Sequence, residues 1–203
     1  MRLFIFIIFL LGSFSCGIKH AQVFKNEVSN ETQKGFVFDT SYTARKFRNP
    51  VGNPPGKGYY DAQSFMRNTH LGEDWNGNGG GNSDLGDTVY ACADGYVKFA
   101  EDIRGGWGNV VRVLHQLPAG SRYKQVESLY AHFDTVLVSA GTYVKMGTPI
   151  GTIGTAHGIY PAHLHFEMRH NVLLDIGGGY SSDTTGYLNP KKFISGFNSS
   201  SIY

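Results

Sequence analysis

From about residue 61 the chain breaks into short apolar or alternating runs separated by glycine-containing turns, and no other feature narrows the fold as much. "GNVVRVLH" and "ESLYAHF" alternate as half-buried strands do, and "VLVSAGTYVKMGTPIGTIG" reads as several short strands between glycine turns. "DTVYACADGYVKFAED" reads as two strands joined at Asp94-Gly95, a dipeptide suited to a hairpin turn. "AHLHFEMR" followed by "NVLLDI" completes the sheet. No stretch carries a long helical period. Asn189-Pro190 places proline at a first helical position, which predicts one short turn through "PKKFI", with "SGFNSSSIY" as a frayed tail. The expected class is all-β, with antiparallel strands. Glycine supplies 27 of the 203 residues, roughly double the usual ~7%, as a turn-rich sheet requires.

A chain of this length supports one domain with a sizeable core. Its organisation reads as a signal peptide over 1–15, a tether over 16–60, a domain over 61–195 and a tail over 196–203. The turn cluster "NPVGNPPGKG" closes the tether, and "GFVFD" (35–39) suggests one strand within it. The apolar run from Leu3 to Leu11 is shorter than the ~20 residues of a membrane span and suits a secretory signal. Cys16 after "SFS" resembles the acylated cysteine of a bacterial lipoprotein signal, although Ser13 stands where that signal usually has leucine. The alternative is an ordinary cleaved signal with an incidental cysteine. Both readings place the protein in the cell envelope, the first anchored to a membrane. Cys92 is the only other cysteine, so a lipidated Cys16 leaves no disulfide within the chain, and Cys92 is expected as a buried thiol. A net charge of +2 with no basic run gives no reason to invoke nucleic acid.

The chemistry concentrates in two distant stretches. "HLHFE" sets His163, His165 and Glu167 on one face of a strand, because side chains alternate. Two imidazoles that close are unfavourable if both are charged and buried; a cation between them or a substrate oxyanion resolves the conflict, and the plainer alternative is a pair of surface histidines on an exposed strand. Upstream, His70 and Asp74 are four residues apart. That spacing suits one helix face, but Gly72 and the glycines that follow favour a turn. Zinc takes histidine nitrogen and aspartate oxygen, and catalytic sites combine three protein ligands with water. His70, Asp74 and one member of the 163/165 pair make such a set, leaving the other histidine for proton chemistry.

"HLGED" resembles the H-x-G-x-D motif of the lysostaphin/LytM-type zinc endopeptidases, and "HLHFEMR" resembles their H-x-H strand. "SLYAHF" between them is similar to that family's "YAH" segment. The similarity runs in order from about residue 68 to 194. It implies one zinc ion held by His70, Asp74 and His165, with His132 and His163 as catalytic histidines. It further implies a compact antiparallel β-sheet or sandwich whose long loops surround a groove for an extended peptide. The family's substrate is peptidoglycan, cut in stem peptides or cross-bridges, and a monomer is expected. Glu167 is either an acceptor that orients a ligand ring or a structural carboxylate.

Three features stand apart from that pattern. "DWNGNGGGNSDL" imitates a calcium loop at Asp74, Asn76 and Asn78, but Leu85 occupies the position of the bidentate glutamate. The other reading is a rim loop lining one wall of the groove. "QLPAGSRYKQVES" (116–128) lengthens a hairpin expected near the cleft. His157 reads as a loop histidine within possible reach of substrate, while His20, His115 and His170 have no partner spacing. The rival functions are a wall-binding or regulatory module of the same fold without turnover, and a calcium-stabilised sugar-binding or adhesion domain.

Overall fold

The computed structural model describes residues 36–199. The apolar run, Cys16 and His20 lie outside those residues. The chain divides between Phe38 and Asp39. On the near side only residues 36–38 are described, and they form no strand, so the strand expected at 35–39 is not found.

Among the described residues ten strands follow: β1 (Tyr59–Gln63), β2 (Glu73–Gly77), β3 (Thr88–Tyr90), β4 (Gly95–Asp102), β5 (Asn109–Gln116), β6 (Gln125–Phe133), β7 (Tyr143–Val144), β8 (Pro149–Thr152), β9 (Leu164–Arg169) and β10 (Tyr187–Leu188). All pairings are antiparallel. The main sheet runs β1-β2-β9-β6-β5-β4-β7, with β10 also on β9, and β3 and β8 form a second, two-stranded sheet. This is the all-β antiparallel architecture expected from the glycine-punctuated runs.

Alternation sorts the long strands onto two faces. Val126 and Tyr130 of β6, with Leu164, Phe166 and Met168 of β9, join the principal core beneath the sheet, which β3, β8 and the helix complete. The opposite face carries Leu129, Ala131, His165, Glu167 and Arg169, with Val110, Leu129 and Ala131 forming a small second cluster. The site lies on that second face.

Four local expectations are corrected. Asp94-Gly95 is not a hairpin turn. The buried Ala91–Cys92–Ala93 carries the chain from one sheet to the other, and β4 pairs with β5 and β7 instead. Gly95 is needed for close packing: a Cβ there would meet the Leu114 carbonyl oxygen at 2.6 Å. "NVLLDI" forms no strand, because its carbonyls are drawn to the side-chain cations of Lys98, Arg112 and Arg169, and the closing strand is β10. The C-terminal helix, α1 (Pro190–Ser199), runs well past "PKKFI". Phe193 and Phe197 pack edge-on against Phe47, which gives the helix an apolar stripe at i and i+4. Finally, the supposed tether contributes to the core before residue 61: Ala44, Phe47 and Val51 are buried there.

Candidate metal centre

His70 follows a 3-10 turn, Arg67–Thr69, in which Asn68 and Thr69 hold positive φ. The chain then enters β2, so His70 and Asp74 are joined by a turn and strand rather than a helix. Gly72 makes the approach possible: a Cβ there would meet Phe166 O at 2.7 Å and His165 Cε1 at 2.9 Å. Asp74 stands directly opposite His165 in the β2–β9 register. Three donor atoms consequently converge. His70 Nε2 lies 3.0 Å from His165 Nδ1 and 3.3 Å from Asp74 Oδ1, and the last two are 3.0 Å apart.

The outer partners fix which atoms carry lone pairs. His70 Nδ1 donates to Gln63 O at 3.2 Å, and His165 Nε2 donates to Glu167 Oε1 at 3.0 Å. In neutral rings the inward nitrogens are then acceptors, facing a carboxylate oxygen that also only accepts. Three acceptors aimed at one point require a cation. A tetrahedral ion with bonds of ~2.0–2.2 Å separates its donors by roughly 3.3–3.6 Å, within a few tenths of an ångström of this triangle. The donor set fits zinc. With no ion, a proton takes that role. Burial opposes charge on His165, but Asp74 and Glu167 on either side outweigh it and push its pKa up to about 9. Asp74 is held well below the usual carboxylate range: burial opposes this, and His165 and His70 prevail.

His132 and His163 stand beside this cluster, their rings 4.7 Å apart. His132 reaches it through a bulge. Val111 pairs with Tyr130 but Asn109 pairs with Phe133, so β6 has one extra residue there, and His132 takes a φ of 66°. Simple alternation would bury His132 with Tyr130. The bulge instead sends Phe133 into the core and His132 to the site. Its Nδ1 donates to Trp107 O at 3.3 Å. Burial, then the charges of His165 and His163, push its pKa down to about 3, so the ring is neutral. His163 donates Nδ1 to Pro161 O at 2.8 Å, which leaves Nε2 3.8 Å from Asp74 Oδ1. Each of the four rings is thus anchored through one nitrogen.

A groove of about 410 Å³ opens over these residues, walled by Gln63, Trp107, Tyr160, Gly178, Gly179 and Tyr180. The ring of Tyr180 lies 5.0 Å from His70 and that of Tyr160 5.1 Å from His132. Sequence reasoning missed these aromatic walls, because only the folding of separate loops brings them together; the glycines just before Trp107 and Tyr180 were the available signal. A larger hollow of about 560 Å³ lies at the other end of the sheet, lined by Leu117, Tyr123, Phe193 and Phe197. Its lining includes no histidine, cysteine or carboxylate. The connection 117–124 borders that hollow, so it does not extend a hairpin near the cleft.

The segment after β2 is not a groove wall either. Asn82 Oδ1 accepts from Ala162 N and Asp84 Oδ2 from Gly77 N, which tie the turn to the fold. The calcium reading fails with it, since Asp74 turns to the histidines and the Asn76 side chain donates to Ala162 O. His157 is exposed beside Asp102, His170 stacks on Tyr123, and His115 is buried between Asp94 O and Ser128 Oγ. Cys92 is a buried free thiol, pushed up to about 11 by burial.

A sequence model of peptidase family M23 matches residues 69–176. Lipoprotein NlpD from Yersinia enterocolitica is 35% identical over 85 residues, covering 42% of this chain and 79% of that protein. Murein hydrolase activator NlpD from Escherichia coli (strain K12) is 36% identical over 85 residues, 42% of this chain and 20% of its own. The chain therefore spans most of the first relative and a fifth of the second. Among solved structures, lysostaphin from Staphylococcus simulans matches in fold with a TM-score of 0.54 at 21% identity, covering 77% of this chain and 56% of that one.

Proposed function

This chain belongs to peptidase family M23, and we propose that it is a zinc-dependent endopeptidase cutting peptide bonds in peptidoglycan stem peptides or cross-bridges. The observation that carries the reading is the pairing of a complete ligand triangle with two further anchored histidines on one groove. His70, Asp74 and His165 would hold the ion. Bound there, zinc supplies a Lewis acid that polarises a carbonyl and acidifies water to a pKa of ~7.

The remaining chemistry belongs to the chain. His132, kept neutral by burial, presents Nε2 as a proton acceptor. His163, nearer solvent and with Nε2 3.8 Å from Asp74, is placed to donate a hydrogen bond to the developing oxyanion. Tyr160 and Tyr180 flank the peptide and help exclude water. Glu167 holds the His165 ring in its ligating orientation. Residues 1–15 direct export, and a lipid on Cys16 holds the protein to the envelope, in keeping with a relative named as a lipoprotein.

Digestion of purified sacculi tests this reading. New amine termini that appear with the zinc-loaded protein and disappear after chelation support it. A second reading, a regulatory module without turnover, draws on the relatives named murein hydrolase activators. It predicts binding to sacculi, with no new amine termini unless a separate hydrolase is added.

A further inference from the structure

Arg169 is wholly buried on the face that carries His165 and Glu167. An arginine in that position is costly unless its donors are met by partners of good geometry. Here they are divided between two directions. Nε donates to Glu167 Oε2 at 2.7 Å, and the other oxygen of that carboxylate receives His165 Nε2. The two terminal nitrogens donate to Asp175 O at 2.9 Å and Ile176 O at 2.8 Å, and the second of them also lies 2.6 Å from Glu167 Oε2. Neighbouring cations hold the same segment. Arg112 reaches Leu174 O at 2.6 Å and Lys98 reaches Val172 O at 2.5 Å, and both pair with the buried Glu127.

These carbonyls lie in the stretch where a strand was expected. Their hydrogen bonds go to side-chain cations below them, so the cations set where the segment lies. Just beyond, Gly177 O accepts from Trp107 Nε1 at 3.0 Å and Gly179 O from Leu71 N at 2.9 Å. Gly178, Gly179 and Tyr180 then form a wall of the groove.

We propose that Arg169 is a positioning residue that sets two parts of the site at once, the ring of His165 through Glu167 and the groove wall through the carbonyls of Asp175 and Ile176. This rests on His165 being a ligand in the proposed endopeptidase. A planar guanidinium offers donors on opposite edges at fixed angles, and a lysine ammonium cannot span both directions. The two arms can therefore be perturbed separately. Glu167 bonds the His165 ring but no carbonyl of the wall segment, whereas Lys98 bonds a carbonyl of that segment and Glu127 but not the His165 ring.

The experiment uses the full chain with zinc affinity read by competition against a chromophoric chelator and amide hydrogen exchange followed over 172–180. Arg169→Lys is expected to weaken zinc by ~10–100-fold, the usual cost of losing a partner behind a ligand, and to speed exchange in the wall. Glu167→Gln, of equal size, should weaken zinc while the wall exchanges as in wild type. Lys98→Met should loosen the wall and leave zinc affinity within about twofold. The last two contrasts stand even if Arg169→Lys fails to fold. Wild-type behaviour of Arg169→Lys overturns the proposal, and so does parallel loss of both properties in Glu167→Gln and Lys98→Met, which marks general loosening. A wild-type protein that binds zinc and cleaves, alongside an unaffected Arg169→Lys, removes this inference and leaves the endopeptidase standing. A wild-type protein that binds no zinc removes both.

Discussion

Asp74 and His165 occupy opposite positions of two paired strands, with Oδ1 and Nδ1 3.0 Å apart. Both are placed by the hydrogen-bond ladder of β2 and β9. The backbone therefore brings these two acceptors together before any ion arrives, and only His70 depends on a turn.

Removing Asp74 should empty that arrangement of its only carboxylate. Asp74→Ala is expected to lose zinc by more than the ~10–100-fold that follows loss of a supporting partner. Elemental analysis of the dialysed protein checks the metal, and release of amine termini from sacculi checks turnover.

His132 should separate metal binding from turnover. It touches the cluster from the side, its ring 5.6 Å from that of His165. His132→Ala is expected to keep zinc within a few-fold and to lower kcat by ~10²–10⁴, the usual contribution of a positioned proton acceptor. Single-turnover cleavage of a defined muropeptide reads this directly.

Gly72→Ala tests the close approach beneath the proposed ligands. The added methyl would press on Phe166 O and the side chains of Glu167 and His165. Overpacking of this kind costs about 1–3 kcal/mol. Urea unfolding of the metal-free protein should show that loss, and zinc affinity should fall with it.

Phe47→Ala asks whether the segment before residue 61 belongs to the folding unit. Phe47 is 3% exposed and meets Phe193, Phe197 and His115 edge-on. Truncating such a ring costs about 3–5 kcal/mol. A midpoint in urea unchanged from wild type would refute its place in the core.

His115 gives a pH dependence far from the candidate metal site. Burial pushes its pKa down from 6.5 to about 4. The unfolded chain therefore binds the proton more readily, and stability is lost as pH falls from about 6.5 towards 4. The difference amounts to about 3 kcal/mol. Unfolding of the metal-free protein at several pH values should show this slope, and His115→Gln should flatten it.

What the sequence disclosed follows from periodicity. His163, His165 and Glu167 alternate on β9, and a period of two needs no tertiary information. The antiparallel class was readable for the same reason. His132 was locatable only by family resemblance, since counting by twos from Tyr130 would bury it. The cations under Val172, Leu174, Asp175 and Ile176 were hidden because side chains from β4, β5 and β9 organise a distant backbone. The helix was underestimated because Gly196 and the serines around it oppose helix locally, whereas Phe193 and Phe197 pack on Phe47. Tertiary packing overrode a weak local preference.

The extra residue in β6 makes parity, and not only side-chain identity, a condition of chemistry in this molecule. Straightening that bulge at full length, so that residues 130–133 alternate plainly, would leave the composition of the strand intact yet exchange the fates of an imidazole and a phenyl ring, sending the first into oil and the second into water. Changes in length should be absorbed readily in the exposed connection at 118–122 and be ruinous a few positions later.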